Sequence, residues 1–151
     1  HVLSSAASDV YKRQILHYTI KKLGLGIEAY KHIITPLQDD ALADHPDAVF
    51  LKNLKQTCRQ LIIDGPNCVI GCMPDHSVFM VQDRKKLRPG VVGGRPGIYA
   101  FSSEICGLDA AIPNRDKNQD FQPMHLDTVI VGPERQEVKI WNQSDPLPLL
   151  H

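Results

Sequence analysis

At Asp64-Gly65-Pro66 the chain changes period, and that change constrains its fold more than any other feature. Before the turn, apolar residues recur three and four apart, as on a helix with one buried face; after it they alternate, as in strands. Leu16, Ile20 and Leu23 share a helical face from Ile15 onward, and Gly24 is placed to end that helix. Ile27, Tyr30, Ile33 and Ile34 make a second face, closed by Pro36, because a residue before proline is pushed out of the helical region. Residues 38–45 are acidic and read as a loop. Pro46 then suits a first helical position, with Asp47 in the first turn and Phe50, Leu54, Thr57 and Leu61 along one face.

Beyond the turn, Cys68, Ile70 and Cys72 alternate against Val69 and Gly71, and residues 74–77 reverse the chain into Val78, Phe79, Met80 and Val81. This predicts an antiparallel hairpin over 67–73 and 78–81. Short strands near Val91-Val92 and over 98–101 are expected to extend it, followed by a helix from about Ser103. Residues 113–123 are polar and irregular, and residues 128–131 and 137–141 form a last hairpin across Gly132-Pro133-Glu134, with Trp141 packing the last strand. Helices followed by a meander with one inserted helix predict an α+β fold rather than a parallel sheet.

With 151 residues there is room for one domain, and no linker divides it. Seventeen basic residues balance seventeen acidic ones, so no global field draws nucleic acid or an anionic membrane. Cys58, Cys68, Cys72 and Cys106, with no signal-peptide pattern and no apolar run of membrane-spanning length, point to a reducing cytoplasm and free thiols. The first fourteen residues, HVLSSAASDVYKRQ, lack clear periodicity. Asp9-Val10-Tyr11-Lys12-Arg13-Gln14 is what GAT GTG TAT AAG AGA CAG encodes, similar to a transposon-end sequencing adapter. Residues 1–14 are therefore expected to be a disordered artefact, and the natural reading frame to continue upstream.

Two motifs flank the 91–101 hairpin. In Asp83-Arg84-Lys85-Lys86-Leu87-Arg88-Pro89 the aspartate can accept turn amides, and Pro89 fixes the backbone after Arg88. Ser102 or Ser103 can cap the helix that follows, with Glu104 adding negative charge to its first turn. Locally, these are a braced turn and a capped helix. Cys68-x3-Cys72-x3-His76 is the one metal-like spacing, but cysteines four apart in a strand lie about 13 Å from each other, too far for one zinc ion. They read instead as small buried strand residues. Cys106 stands where a helix N-terminus would lower a thiol pKa, yet it has no histidine nearby in sequence, although His125 could approach it in space. His17, His32, His45 and His151 read as isolated surface residues, and Asp39, Asp40 and Asp44 as a solvated acidic loop. The dinucleotide and P-loop glycine spacings are absent, and so is a complete catalytic set.

Taken together, these segments resemble the later part of a class II glutamine amidotransferase domain, the N-terminal-nucleophile (Ntn) type of glutamate synthases and glutamine phosphoribosylpyrophosphate amidotransferase. Residues 83–89 are similar to the family's Asp-Arg-x-x-Leu-Arg-Pro turn, and Phe101-Ser102-Ser103-Glu104-Ile105-Cys106-Gly107-Leu108-Asp109 to its Ala-Ser-Glu-x-x-Ala-Leu-Asp segment. Residues 61–71, LIIDGPNCVIG, are similar to its Leu-x-Gly-Pro-Phe-Ser strand, with Asn67-Cys68 in place of Phe-Ser. The subfamily that the Lys-Leu-Arg-Pro form of the turn most resembles is the short archaeal-type glutamate synthase subunit.

The resemblance implies the second half of an αββα Ntn-hydrolase sandwich. Residues 15–132 would be a partial amidotransferase domain, and residues 133–151 a final strand and tail. In such enzymes an N-terminal cysteine attacks the glutamine side-chain amide, and ammonia passes to a synthase subunit or domain. The nucleophile, the oxyanion residues and the glutamine clamp all belong to segments upstream of the matched region, so no catalytic residue carries over. Asp83, Arg84, Leu87, Arg88, Pro89, Ser103 and Glu104 are expected as scaffold. The fragment itself is expected to be inactive, with apolar faces and strand edges left open. The resemblance implies no metal or cofactor in this domain, flavin and iron–sulfur clusters belonging to the synthase partner, and no nucleic acid or membrane. A non-catalytic Ntn-fold interaction module and a small metal-binding domain are the alternatives.

Overall fold

A computed structural model describes residues 2–63, 65–83, 85, 86 and 88–151, with side chains from residue 9 onward. The molecule is mixed helix and antiparallel sheet, of α+β type. It divides into two compact units, His1–Ile63 with Ser144–His151, and Asp64–Gln143. The division between them falls where the period of the sequence changes.

The first unit is helical. α1 (Val2–His17) takes in most of the segment expected to be disordered; no proline or glycine interrupts the chain between Val2 and Leu23. The Thr19 hydroxyl donates to the Ile15 carbonyl (2.8 Å), and the helix widens there into a π-helical turn over Tyr18–Lys22. Gly24, at φ +66°, ends it as expected, because few side chains tolerate that conformation.

α2 (Ile27–Ile34) was expected to bury one face, yet Ala29, Lys31 and His32 are buried along with Ile27, Tyr30, Ile33 and Ile34. Part of the acidic loop is a short helix, α3 (Asp39–Ala43), fastened to the next helix by Lys55, which donates to Asp39 (2.7 Å) and to the Leu37 carbonyl (3.0 Å). α4 (Ala48–Thr57) begins two residues after Pro46, with Asp47 at its N-cap. Its buried stripe is Leu51 and Leu54, continued by Cys58, whereas Phe50 is half-buried and Thr57 exposed. Leu61 lies beyond the helix, in a 3-10 turn over Arg59–Leu61.

The second unit holds β1 (Cys68–Cys72), β2 (Val78–Gln82), β3 (Val91–Arg95), β4 (Ile98–Ser102), α5 (Ile105–Ala111), β5 (Asp127–Val131) and β6 (Val138–Asn142). Both expected hairpins form, β1 with β2 and β5 with β6. The middle strands do not extend the first hairpin: β3 and β4 pair with each other, β3 adding an isolated antiparallel bridge from Val92 to Phe121, and β2 pairs with β5 to give a four-stranded sheet in the order β1-β2-β5-β6. A boundary at residue 132 would therefore cut between paired strands.

Register fixes which faces meet. Ile70, Met80, Val129 and Ile140 are paired in one row across the larger sheet. Met80 and Val129 pack with Val92, Phe101 and Phe121. Val92 and Phe101 are themselves paired, so this is one face of the β3–β4 ribbon. Its other face carries α5: a Cβ on Gly93 would meet Leu108, and one on Gly107 would meet Ser102. The unit is thus three layers, four-stranded sheet, two-stranded sheet and α5. Each fully buried side chain of the intersheet core stabilises it by roughly 1.5–3 kcal/mol. A two-stranded ribbon cannot cover four strands, and Ile70 and Ile140 at the sheet's margins remain 48% and 52% exposed.

Candidate functional site

Residues 83–90 leave β2 of one sheet and enter β3 of the other, one of the two covalent connections between the layers, the other running from β4 through α5 to β5. Asp83 is buried; its N–H donates to the Asn67 carbonyl (2.9 Å), extending the β1–β2 ladder by one residue pair. Its carbonyl accepts from the Lys86 N–H (3.4 Å), and Lys86 takes a positive φ of 53°. Arg84 and Leu87 lie outside the described residues. Arg88 and Pro89 are exposed. Gly90 closes the turn where any side chain would collide: a Cβ would stand 2.8 Å from both Gln82 Nε2 and Met80 Sδ, and 3.2 Å from Cys68 Sγ.

The pairing of Val91 with Ser102 brings the end of this turn and the start of the second motif to the same end of the β3–β4 hairpin. Ser103 and Glu104 are exposed there. The expected cap differs in detail. Ser102 Oγ accepts the Glu104 N–H (3.2 Å), a local turn, and Glu104 itself occupies the N-cap with extended backbone. Cys106 donates its S–H to Glu104 Oε2 (3.2 Å). That hydrogen bond and the carboxylate's charge raise the thiol's pKa, the reverse of the expected helix-terminus effect. This leaves Cys106 a poor nucleophile at neutral pH.

Behind the ribbon lies a clamp that sequence reasoning missed, within the stretch read as irregular. Arg115 holds Asp120 in a two-pronged ion pair (2.6 and 2.8 Å), contacts Asp109 (2.9 Å) and donates to the Ile112 carbonyl (3.1 Å). Lys117 reaches the same Asp109 oxygen (3.0 Å). The Arg115 hydrogen bond holds the Asp120 carboxyl below its usual range, and Lys117 and Arg115 do the same for Asp109. These residues tie the end of α5 to the loop beneath Gly93. No spacing in the sequence marks them as partners.

Two clefts open beside the ribbon, and Tyr99 lines both. One of about 540 Å³ runs past Val92, Gly94, Arg95, Phe121 and Glu137. The other, about 290 Å³, holds Cys72, His76, Ile98 and Arg135. Cys72 is exposed rather than buried, and Cys68 half-buried; both are reduced. Among the described residues no group of three His, Cys, Asp or Glu side chains is arranged to hold a metal ion, and no helix is long and apolar enough to cross a membrane.

In the helical unit, His32 and His45 are buried rather than isolated at the surface, with their rings edge to face at 5.5 Å. His45 Nδ1 accepts the Asp47 N–H (2.9 Å), which leaves Nε2 to donate to the Asp145 carbonyl (3.0 Å). Asp47 accepts the Leu147 N–H (2.8 Å) and contacts His151 Nε2 (2.8 Å). Burial opposes ionisation of Asp47, but these bonds outweigh it and hold the carboxyl below its usual range. For His32, burial, then His45 and Lys31, push the imidazole down to about 3, against a smaller pull from Asp47. It is a neutral structural residue at physiological pH.

No protein-family model, curated protein or solved structure matches the chain.

Proposed function

We propose that this chain is the scaffold portion of a glutamine amidotransferase domain of the Ntn type, whose complete form hydrolyses glutamine to glutamate and delivers ammonia to a synthase partner in the cytoplasm. The observation that carries the reading is the layering of the second unit. Two antiparallel sheets are stacked face to face with a helix outside, and the Asp-Arg-x-x-Leu-Arg-Pro-like turn crosses from one to the other. An αββα sandwich contains such a stack.

In this reading Asp83 and Pro89 set the path of the crossing, while Ser103 and Glu104 turn the chain into α5 at the same end of the hairpin. Arg84, Leu87 and Arg88 belong to the same turn as motif residues. None of these positions matches the nucleophile, the oxyanion donors or the glutamine clamp of such enzymes. The raised thiol of Cys106 does not substitute for the missing nucleophile.

Reading the source DNA upstream of this segment tests the proposal. A frame opening Met-Cys-Gly, followed by the family's glutamine-binding segments, is the expected result. Any other residue after the initiator methionine contradicts it and favours a non-catalytic module of the same fold.

A further inference from the structure

Three hairpin turns meet at one end of the second unit. Cys72, Val78, Val131 and Val138 are the last paired row of the four-stranded sheet, so the β1–β2 and β5–β6 turns both lie just beyond it. The tip of the β3–β4 ribbon joins them: the Gly97 N–H donates to the Arg135 carbonyl (2.6 Å), and the Tyr99 hydroxyl to the Gln136 carbonyl (3.3 Å). The cleft of about 290 Å³ lies at this junction, with Cys72, Val78 and Val131 of that row in its lining. His76 from one sheet turn and Arg135 from the other line it as well. Among the described residues that form it there are thus a thiol, an imidazole and a guanidinium but no carboxylate, although the chain as a whole is neutral. The larger cleft differs, because there Arg95 is accompanied by Asp116 and Glu137.

We propose that Cys72 is a thiol-modification site whose cleft takes a small anionic disulfide of the glutathione class, with Arg135 pairing a carboxylate of the incoming group. Exposure and local charge single this thiol out from the other three. Cys58 is buried, which pushes its thiol up. Cys106 is exposed but bonded to the Glu104 carboxylate, which repels an anionic reagent. Cys68 is half-buried, and its sulfur packs with Met80, Val92 and Val129 in the intersheet core. Cys72 is exposed, and its S–H makes only a long bond of 3.5 Å to the Met73 carbonyl. The nearby Asp75 carboxylate, in the same turn as His76, is engaged by the Ser77 N–H (2.9 Å).

The step balances with the disulfide RSSR as oxidant. The Cys72 thiolate attacks one of its sulfurs, the S–S bond breaks, and RS⁻ leaves. RS⁻ takes up the proton that the Cys72 thiol released, so one thiol and one RSSR become one mixed disulfide and one RSH. Small-molecule sites occupy about 300–1,000 Å³, so a cleft of about 290 Å³ suits a group of tripeptide size and not a larger one. The transferred group would lie against Tyr99 and Ile98 at the ribbon tip. This inference stands independently of the amidotransferase reading.

The test treats the full chain with three disulfides in turn, oxidised glutathione (anionic), 2-hydroxyethyl disulfide (neutral) and cystamine (cationic). Peptide mass mapping follows the rate at each cysteine, divided by the rate of the same reagent on the chain unfolded in urea. Cys72 is expected to be the first site modified by oxidised glutathione, reversibly with dithiothreitol. Its normalised rate with that reagent should exceed that with the neutral one at least about threefold, with cystamine slowest. Arg135 has a φ of +55°, which asparagine tolerates, so Arg135→Asn should remove the preference while leaving the neutral reagent's rate unchanged. Modification of Cys58, Cys68 or Cys106 ahead of Cys72, equal normalised rates with all three reagents, or an Arg135→Asn chain that keeps the preference would overturn the proposal. Circular dichroism identifies a misfolded variant, and the comparison of the three reagents on the unaltered chain decides the matter in that case.

Discussion

Gly93 is one of the positions that contact, rather than backbone conformation, reserves for glycine. A Cβ there would run into Asp120 Oδ1 and stand 2.9 Å from Leu108 and 3.1 Å from Arg115 Nε, prising apart a buried ion pair. Gly93→Ala should cost about 2–4 kcal/mol in urea unfolding. Gly97→Ala, with open space but a φ of +97°, should cost only about 1–2 kcal/mol. Equal effects would show that the clamp is unimportant. His32 gives a pH dependence of definite sign. Its imidazole titrates near 6.5 in the unfolded chain but near 3 when folded, so below about pH 6.5 only the unfolded state takes up the proton. The stability it contributes is full above that pH and is lost as pH falls toward 3. The urea midpoint should therefore drop between pH 7.5 and pH 5, with a smaller drop in His32→Gln; equal drops would contradict the assignment. Neither residue was legible in the sequence, because a glycine in a strand and a histidine in a helix look the same whether buried or exposed.

At the scale of elements, local signals did well where the partner lies next in the chain. Both hairpins fall where alternation and turn residues place them, as does the end of the first long helix at Gly24. They failed where the partner is remote: nothing in Val91-Val92 says that β3 pairs with β4 and bridges to Phe121 while β2 turns to β5. α2 misled in another way. Its apolar positions fit one face, but Lys31 and His32 are buried too, a consequence of tertiary packing that periodicity does not carry. α5 supplies a chemical test at this scale. Glu104 holds the Cys106 thiol in its protonated form, so Glu104→Gln should speed alkylation by iodoacetamide at pH 7.5 severalfold, read by intact mass. An unchanged or slower rate would show that the helix terminus, not the carboxylate, governs the thiol.

For the whole molecule, the α+β class follows from the order of periods along the sequence, and the layering follows from register once the strands are placed. The candidate site was half legible. The two motifs were visible as a turn and a helix start, but that they meet at one end of a hairpin depends on the Val91–Ser102 pairing, and the clefts beside Tyr99 depend on a narrow ribbon lying over a wider sheet. The amidotransferase reading makes the chain a scaffold whose chemistry resides in residues it does not contain. Ammonia release from glutamine tests that directly. The chain as it stands should release none above the buffer control, whereas the product of the upstream-extended frame should release it at a rate abolished by replacing its N-terminal cysteine with alanine. Glutaminase activity in the present chain that a point substitution removes, or an extended product with no activity on glutamine, would contradict the account.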